Sequence, residues 1–211
     1  ANGLALWAMA LLTLGAWWWG DRPFSQMGIC YPDPAAGKWS ALLSGLIVAT
    51  WIIDAGRQMR AKCLPNTRRE WQKNTPFMPD SPKEIVCFFP LAISAGICEE
   101  VVFRGYLIRY FESLAGMQSW SSAVAILVPA LAFAWGHRYQ KRTAMIKIFV
   151  LAIGFGTLFV ISGSLLWCAL IHFGIDFAAS LLSPYLMSGS AQSGAGTADP
   201  IPDRQEETRE L

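Results

Sequence analysis

Charge is scarce in this chain. Asp, Glu, Lys and Arg make up 15% of its 211 residues, against about 25% in a typical soluble domain. An ordinary soluble globule is therefore excluded. The net charge of +2 is too small to suggest a nucleic-acid-binding protein. Histidine is scarcer still: with only His137 and His172 present, any imidazole chemistry must use these two. The five cysteines (Cys30, Cys63, Cys87, Cys98 and Cys168) include no Cys-x-x-Cys pair. Three of them fall in apolar runs, so the expectation is buried, inert thiols, with neither a disulfide framework nor a cysteine metal site. There is no His-Glu-x-x-His motif and no internal repeat. No Lys or Arg precedes the first apolar run, and Trp17, Trp18 and Trp19 close it where a secretory signal would carry small residues. That run is predicted to be an anchored helix ending at the membrane interface.

What the chain does have is long apolar blocks. They cover residues 3–19, 41–53, 85–98, 119–136 and 148–187. A bilayer-spanning helix needs about 20 predominantly apolar residues. The last block is too long for one span, and Ser162-Gly163-Ser164 supplies a turn in its middle. The pattern predicts an all-α, polytopic membrane helix bundle of about six transmembrane helices, with the chemistry-bearing groups on three of them. Two basic stretches support an up-down path with both termini on one side. The first, within 57–84, holds Arg57, Arg60, Lys62, Arg68, Arg69, Lys73 and Lys83; the second holds Arg138, Lys141, Arg142 and Lys147. Basic loops stay on the cytoplasmic side. Residues 105–118 read as an amphipathic stretch at the interface. Three regions follow: 1–84, two membrane helices and a basic loop; 85–187, a membrane core; and 188–211, a small, polar and then charged tail expected to be disordered.

Three polar clusters interrupt the apolar blocks. Ionisable groups within a membrane are costly and usually face a cavity and carry function. In Glu99-Glu100-Val101-Val102-Phe103-Arg104, Glu100 and Arg104 are four apart on one helical face and can pair. Glu99 points about 100° away around the axis, free to face a cavity and act as general base on a water. Solvated caps of a span are the alternative for both glutamates. In Phe133-Ala134-Trp135-Gly136-His137, the ring of Phe133 can pack beside the imidazole; alone, such a histidine reads equally as an interfacial residue. In His172-Phe173-Gly174-Ile175-Asp176, the two polar residues are again four apart, either a site or a structural staple between helices. Together the clusters offer a general base, two imidazoles and a hydrogen-bonding group. Those parts suffice for water to attack an amide carbonyl, with an imidazole stabilising the oxyanion.

The series Glu-Glu-x-x-x-Arg, Phe-x-x-x-His, His-x-x-x-Asp, in this order and on apolar segments, resembles the CPBP family of intramembrane endopeptidases. That family includes the type II CAAX prenyl proteases and the Abi bacteriocin-processing and immunity proteins. The resemblance covers roughly residues 85–185, and the flanking Glu-Glu-Val-Val-Phe-Arg-Gly-Tyr-Leu is similar too. It implies a metal-independent peptide hydrolase without cofactors, acting on a membrane-associated protein or peptide in the lipid bilayer. It implies Glu99 as the base that activates water, His137 as a holder of that water, Glu100 and Arg104 as a supporting pair, and His172 and Asp176 as the lining of the oxyanion pocket. Asp176 departs from members that carry Asn there: Asn can donate a hydrogen bond, whereas an ionised Asp repels an oxyanion. Asp176 is thus either protonated or an orienter of His172. Glu99, His137 and His172 would also make a two-His, one-carboxylate zinc set. A non-enzymatic immunity or binding protein and a proton-relay transporter are the other readings. The compact size, the positive-inside pattern and the lack of eukaryotic targeting signals point to a multi-pass protein of a bacterial inner membrane.

Overall fold

The computed structural model describes residues 2–115 and 121–187, and every regular element among them is helical. These are α1 (Asn2–Trp19), α2 (Gly37–Gln58), α3 (Leu64–Asn74), α4 (Pro82–Glu100), α5 (Arg109–Ala115), α6 (Ser121–Gly136), α7 (Arg142–Ser162) and α8 (Leu166–Met187), with two short 3-10 turns at Phe24–Met27 and Pro34–Ala36. A π-helical segment, Val101–Ile108, joins α4 to α5. The expected disordered tail, residues 188–211, lies outside the described residues, as do the last residues of the 105–118 stretch.

The chain is a multi-pass membrane protein. Four helices are long and apolar enough to cross a bilayer: Pro34–Gln58, Pro82–Leu114, Arg142–Ser162 and Leu166–Met187. Two shorter apolar helices, Gly3–Trp19 and Ser122–Gly136, accompany them. The short apolar runs at 41–53 and 85–98 are cores of longer helices, because helix formation continues into flanking polar residues. The 105–118 stretch is not a separate interfacial element over its described part. It continues the axis of α4 through the π-helical segment, so one helical rod runs 33 residues from Pro82 to Leu114.

Local sequence sets the helix ends. Pro82 occupies the first turn of α4, where its missing N–H costs nothing, and the carboxylate of Glu84 accepts the Asp80 backbone N–H. The start of α4 therefore lies just before the boundary at 84/85 drawn from the apolar pattern. The turn expected at Ser162-Gly163-Ser164 separates α7 from α8: Gly163 adopts φ 66° and its N–H closes on the Phe159 carbonyl, a left-handed helix stop that suits glycine. The stretch 57–84 is not simply a loop, since it contains α3, which packs on α2 and α8 through Thr67 and Gln72.

Both basic stretches lie at one end of the bundle. Lys141 pairs with Glu70 of α3, Lys147 pairs with Asp54 of α2 at 2.7 Å, and Gln72 donates to the Met187 carbonyl. At the other end the α1–α2 connection folds onto α7 and α8. Leu165 N–H donates to the Gly28 carbonyl, Asp33 N–H to the Ser162 carbonyl, and Ser164 Oγ to the Cys30 carbonyl. Gly28 has φ 86°, and a Cβ there would stand 2.4 Å from the ring of Phe159, so this seat requires glycine. The most extensive packing is between α4 and α8 and between α6 and α7. The three polar clusters lie at the end of α4 and the π-helical segment after it, at the end of α6, and within α8.

Candidate active site

Glu100 ends α4 fully buried, and its Oε1 accepts from Arg104 Nη1 at 2.8 Å, one turn on in the π-helical segment. A buried charge requires a partner, and Arg104, 2% exposed, has no other ion pair among the described residues. Two rings enclose the guanidinium: Phe133 of α6 at 4.6 Å and Phe155 of α7 at 5.2 Å. Cations over aromatic faces in a desolvated setting are favourably held. The π-helical stretch begins directly after the two glutamates. Its wider turn changes the angular register that an unbroken α-helix would give, and such segments are frequent at functional sites.

The same Oε1 of Glu100 contacts His172 Nδ1 of α8 at 2.7 Å. A carboxylate oxygen accepts, so Nδ1 carries the hydrogen and donates. Only Nε2 of His172 then faces outward from the pair. It lies 3.7 Å from Glu99 Oε2 and 3.6 Å from Asp176 Oδ2. Phe155 stacks on the imidazole at 5.8 Å and Phe133 meets it edge-on at 6.1 Å. Close approach of α4 and α8 makes this possible: a Cβ on Gly96 would stand 3.0 Å from both the Ala169 carbonyl oxygen and the Phe173 nitrogen.

His137 follows α6. Its Nδ1 is 2.8 Å from the Phe133 carbonyl, which can only accept, so here too Nδ1 carries the hydrogen and Nε2 is left open. The Phe133 ring packs against the imidazole with centroids 4.7 Å apart. His137 is within electrostatic range of Glu99 and Asp176. Glu99, Glu100, Arg104, Phe133, His137, His172 and Asp176 thus share one region, built from α4 with its π-helical extension, α6 and α8. Among the described residues, no three His, Cys, Asp or Glu side chains are grouped so as to hold a metal ion.

Sequence reasoning missed several neighbours. Phe155 holds both Arg104 and His172, yet it sits in an apolar run of α7 where nothing distinguishes it from a lipid-facing ring. Phe103 packs edge-on against Phe133 at 5.0 Å. Tyr139 lies 5.8 Å from the His137 ring and edge-on to Phe77. Burial raises its phenol above the ordinary range, and the charges of Glu99 and Asp176 add to the rise.

Residues 81–178 match a family model described as type II CAAX prenyl endopeptidase, Rce1-like. Over this segment the chain is similar to the CAAX protease-like family. The match begins at the Ser81–Pro82 start of α4 and ends just past Asp176, so it contains every polar residue of the candidate site. No curated protein and no solved structure matches the chain. The CAAX protease-like segment thus coincides with the helices that pack around His172, while α1, α2 and α3 lie outside it.

Proposed function

We propose that this membrane protein hydrolyses a peptide bond of a membrane-associated or hydrophobic peptide, using a water activated by Glu99. The observation that carries the reading is the environment of His172. Its Nδ1 is held by buried Glu100, while its Nε2 sits between the carboxylates of Glu99 and Asp176 at 3.7 and 3.6 Å. The imidazole has one fixed orientation and one working nitrogen, as a catalytic group requires.

In the proposed reaction Glu99 takes a proton from water while the water oxygen bonds to the carbonyl carbon of the substrate. His137, with Nε2 open, accepts the second hydrogen of that water and orients it. The carbonyl oxygen becomes an oxyanion, which the Nε2–H of the His172 imidazolium stabilises. The C–N bond then breaks, and the proton held by Glu99 passes to the departing amine, leaving a carboxylic acid and an amine. Asp176 assists only when its carboxyl carries a proton, since an ionised carboxylate repels the oxyanion. Glu100 already orients the imidazole from the other side. Arg104 supplies the charge opposite to Glu100, whose Oε1 accepts from both Arg104 Nη1 and His172 Nδ1.

The basic end carries α3 and the α6–α7 connection, which supports a cytoplasmic position for it. We place the protein in a bacterial inner membrane on that pattern. A substrate reaching this region must present its scissile bond among apolar helices, which favours anchored or hydrophobic peptides. The test is a comparison of membrane peptides by mass spectrometry from cells carrying the intact chain and the Glu99→Ala variant. Peptides cut only by the intact chain support the reading. Identical peptide sets with unchanged biological activity would assign the chain a binding role instead. Loss of cleavage on chelation, restored by added metal, would replace the glutamate mechanism with a metal-dependent one.

A further inference from the structure

At the end of the bundle opposite the basic loops, the chain forms an open cavity of about 430 Å³ lined by Trp17, Arg22, Gln26, Arg109 and Ser113. It lies between the end of α1, the Phe24–Met27 turn and α5, away from Glu99 and His172. Its lining is rich in donors and poor in acceptors. Arg22 has its guanidinium 5.2 Å over the Trp17 ring and, among the described residues, no carboxylate partner. The side-chain amide of Gln26 makes no hydrogen bond among the described residues; only its backbone is used, the carbonyl accepting from Arg109 Nε at 2.9 Å. Arg109 is fixed by that bond, by Glu112 at 2.8 Å and by the Phe159 ring at 4.8 Å. Glu112 offsets one of the two guanidinium charges, and no carboxylate lines the cavity itself.

The walls are held in place. Trp17 is buried, donates its indole N–H to the Pro23 carbonyl and meets Tyr106 edge-on at 6.2 Å. Ser113 donates to the Tyr110 carbonyl. Next to the cavity, Trp18 and Trp19 are 68% and 85% exposed. Exposed indoles at a helix end settle at the membrane–water interface, which sets the cavity at the level of lipid headgroups.

We propose that this cavity binds a phosphate-bearing anion, with Arg22 and Gln26 as its free donors and Arg109 as its fixed wall. Guanidinium groups suit phosphate oxygens because their N–H groups form a planar fork. The two sources of that chemistry at this level are the headgroup of an anionic phospholipid and a free phosphate.

The experiment uses the full chain in detergent. Dihexanoyl phosphatidylglycerol, dihexanoyl phosphatidylcholine and inorganic phosphate are titrated separately, with binding read by native mass spectrometry and by the ligand-dependent shift in melting temperature. The variants are Arg22→Ala and Gln26→Leu; both positions are exposed, and neither side chain supports the fold through a hydrogen bond. Phosphatidylglycerol binding weakened about tenfold by Arg22→Ala, the effect of one lost charge-assisted contact, with no inorganic phosphate bound, supports the lipid headgroup as the source. Inorganic phosphate bound and weakened by the same variants supports a small-anion site. Equal binding of both phospholipids that neither variant alters, or no binding of any of the three, would overturn the proposal.

Discussion

Glu100 and His172 meet across α4 and α8 at 2.7 Å, and the carboxylate oxygen that receives His172 Nδ1 also receives Arg104. One buried oxygen therefore joins a cation from its own helix to an imidazole from another. Glu100→Gln keeps the shape but removes the charge that balances Arg104. Breaking a buried ion pair by removing one partner costs about 3–5 kcal/mol. The expected outcome is a clear loss of stability in a thermal melt together with loss of peptide cleavage. An unaltered melt would mean that Arg104 is neutralised by another group.

Glu99 is expected to behave in the opposite way. It approaches His172 only at 3.7 Å and makes no contact as close as the 2.8 Å pair of Glu100 with Arg104. Glu99→Gln should leave the melt unchanged and reduce cleavage by about 10²–10⁴-fold, the usual contribution of a general base. A paired measurement of melting temperature and turnover separates the two neighbouring glutamates: one variant loses stability and activity together, the other activity alone.

Why the two glutamates differ was partly legible in the sequence. The four-residue spacing of Glu100 and Arg104 pointed to their pair, and the apolar blocks with Ser162-Gly163-Ser164 pointed to the helices and to the break between α7 and α8. Spacing within a segment fixes angular relations along one helix. It carries no information about which residue of another helix stands opposite, so the contact of Glu100 with His172, rather than with Arg104 alone, was out of reach. The π-helical segment was hidden for a related reason: Val101–Ile108 has the same apolar composition as an α-helix. Phe155 was invisible because a ring that holds a site and a ring that faces lipid look alike in an apolar run. The helix α3 was obscured by its charge, since a basic stretch between spans reads as a loop.

Close approach of α4 and α8 depends on Gly96. The atoms that an added Cβ would meet at 3.0 Å are backbone, the Ala169 carbonyl oxygen and the Phe173 nitrogen, and backbone cannot rotate away. Gly96→Ala is expected to push the helices apart, to destabilise the protein by about 1–3 kcal/mol as overpacking does, and to lower cleavage by lengthening the Glu100–His172 contact. Gly174→Ala is the matched control. That glycine lies on α8, and a Cβ there meets nothing within 4 Å, so stability should hold or rise slightly through better helix propensity. Equal melts for the two variants would show that the helices are not in contact at Gly96.

Phe155 supports two charged partners at once, with the His172 ring stacked on it at 5.8 Å and the Arg104 guanidinium at 5.2 Å. Its side chain is 2% exposed, so Phe155→Ala opens a cavity and should cost about 3–5 kcal/mol. That loss alone says nothing about the site. Phe155→Leu is more informative, because it restores most of the volume without the flat face on which His172 rests. Stability near that of the intact chain, combined with a clear fall in turnover, is the expected result. The same exchange at Phe159, equally buried but packed on Gly28 and Arg109 at the far end of α7, should leave turnover unchanged. If both leucine variants cleave as well as the intact chain, the imidazole is held by Glu100 without help from the ring.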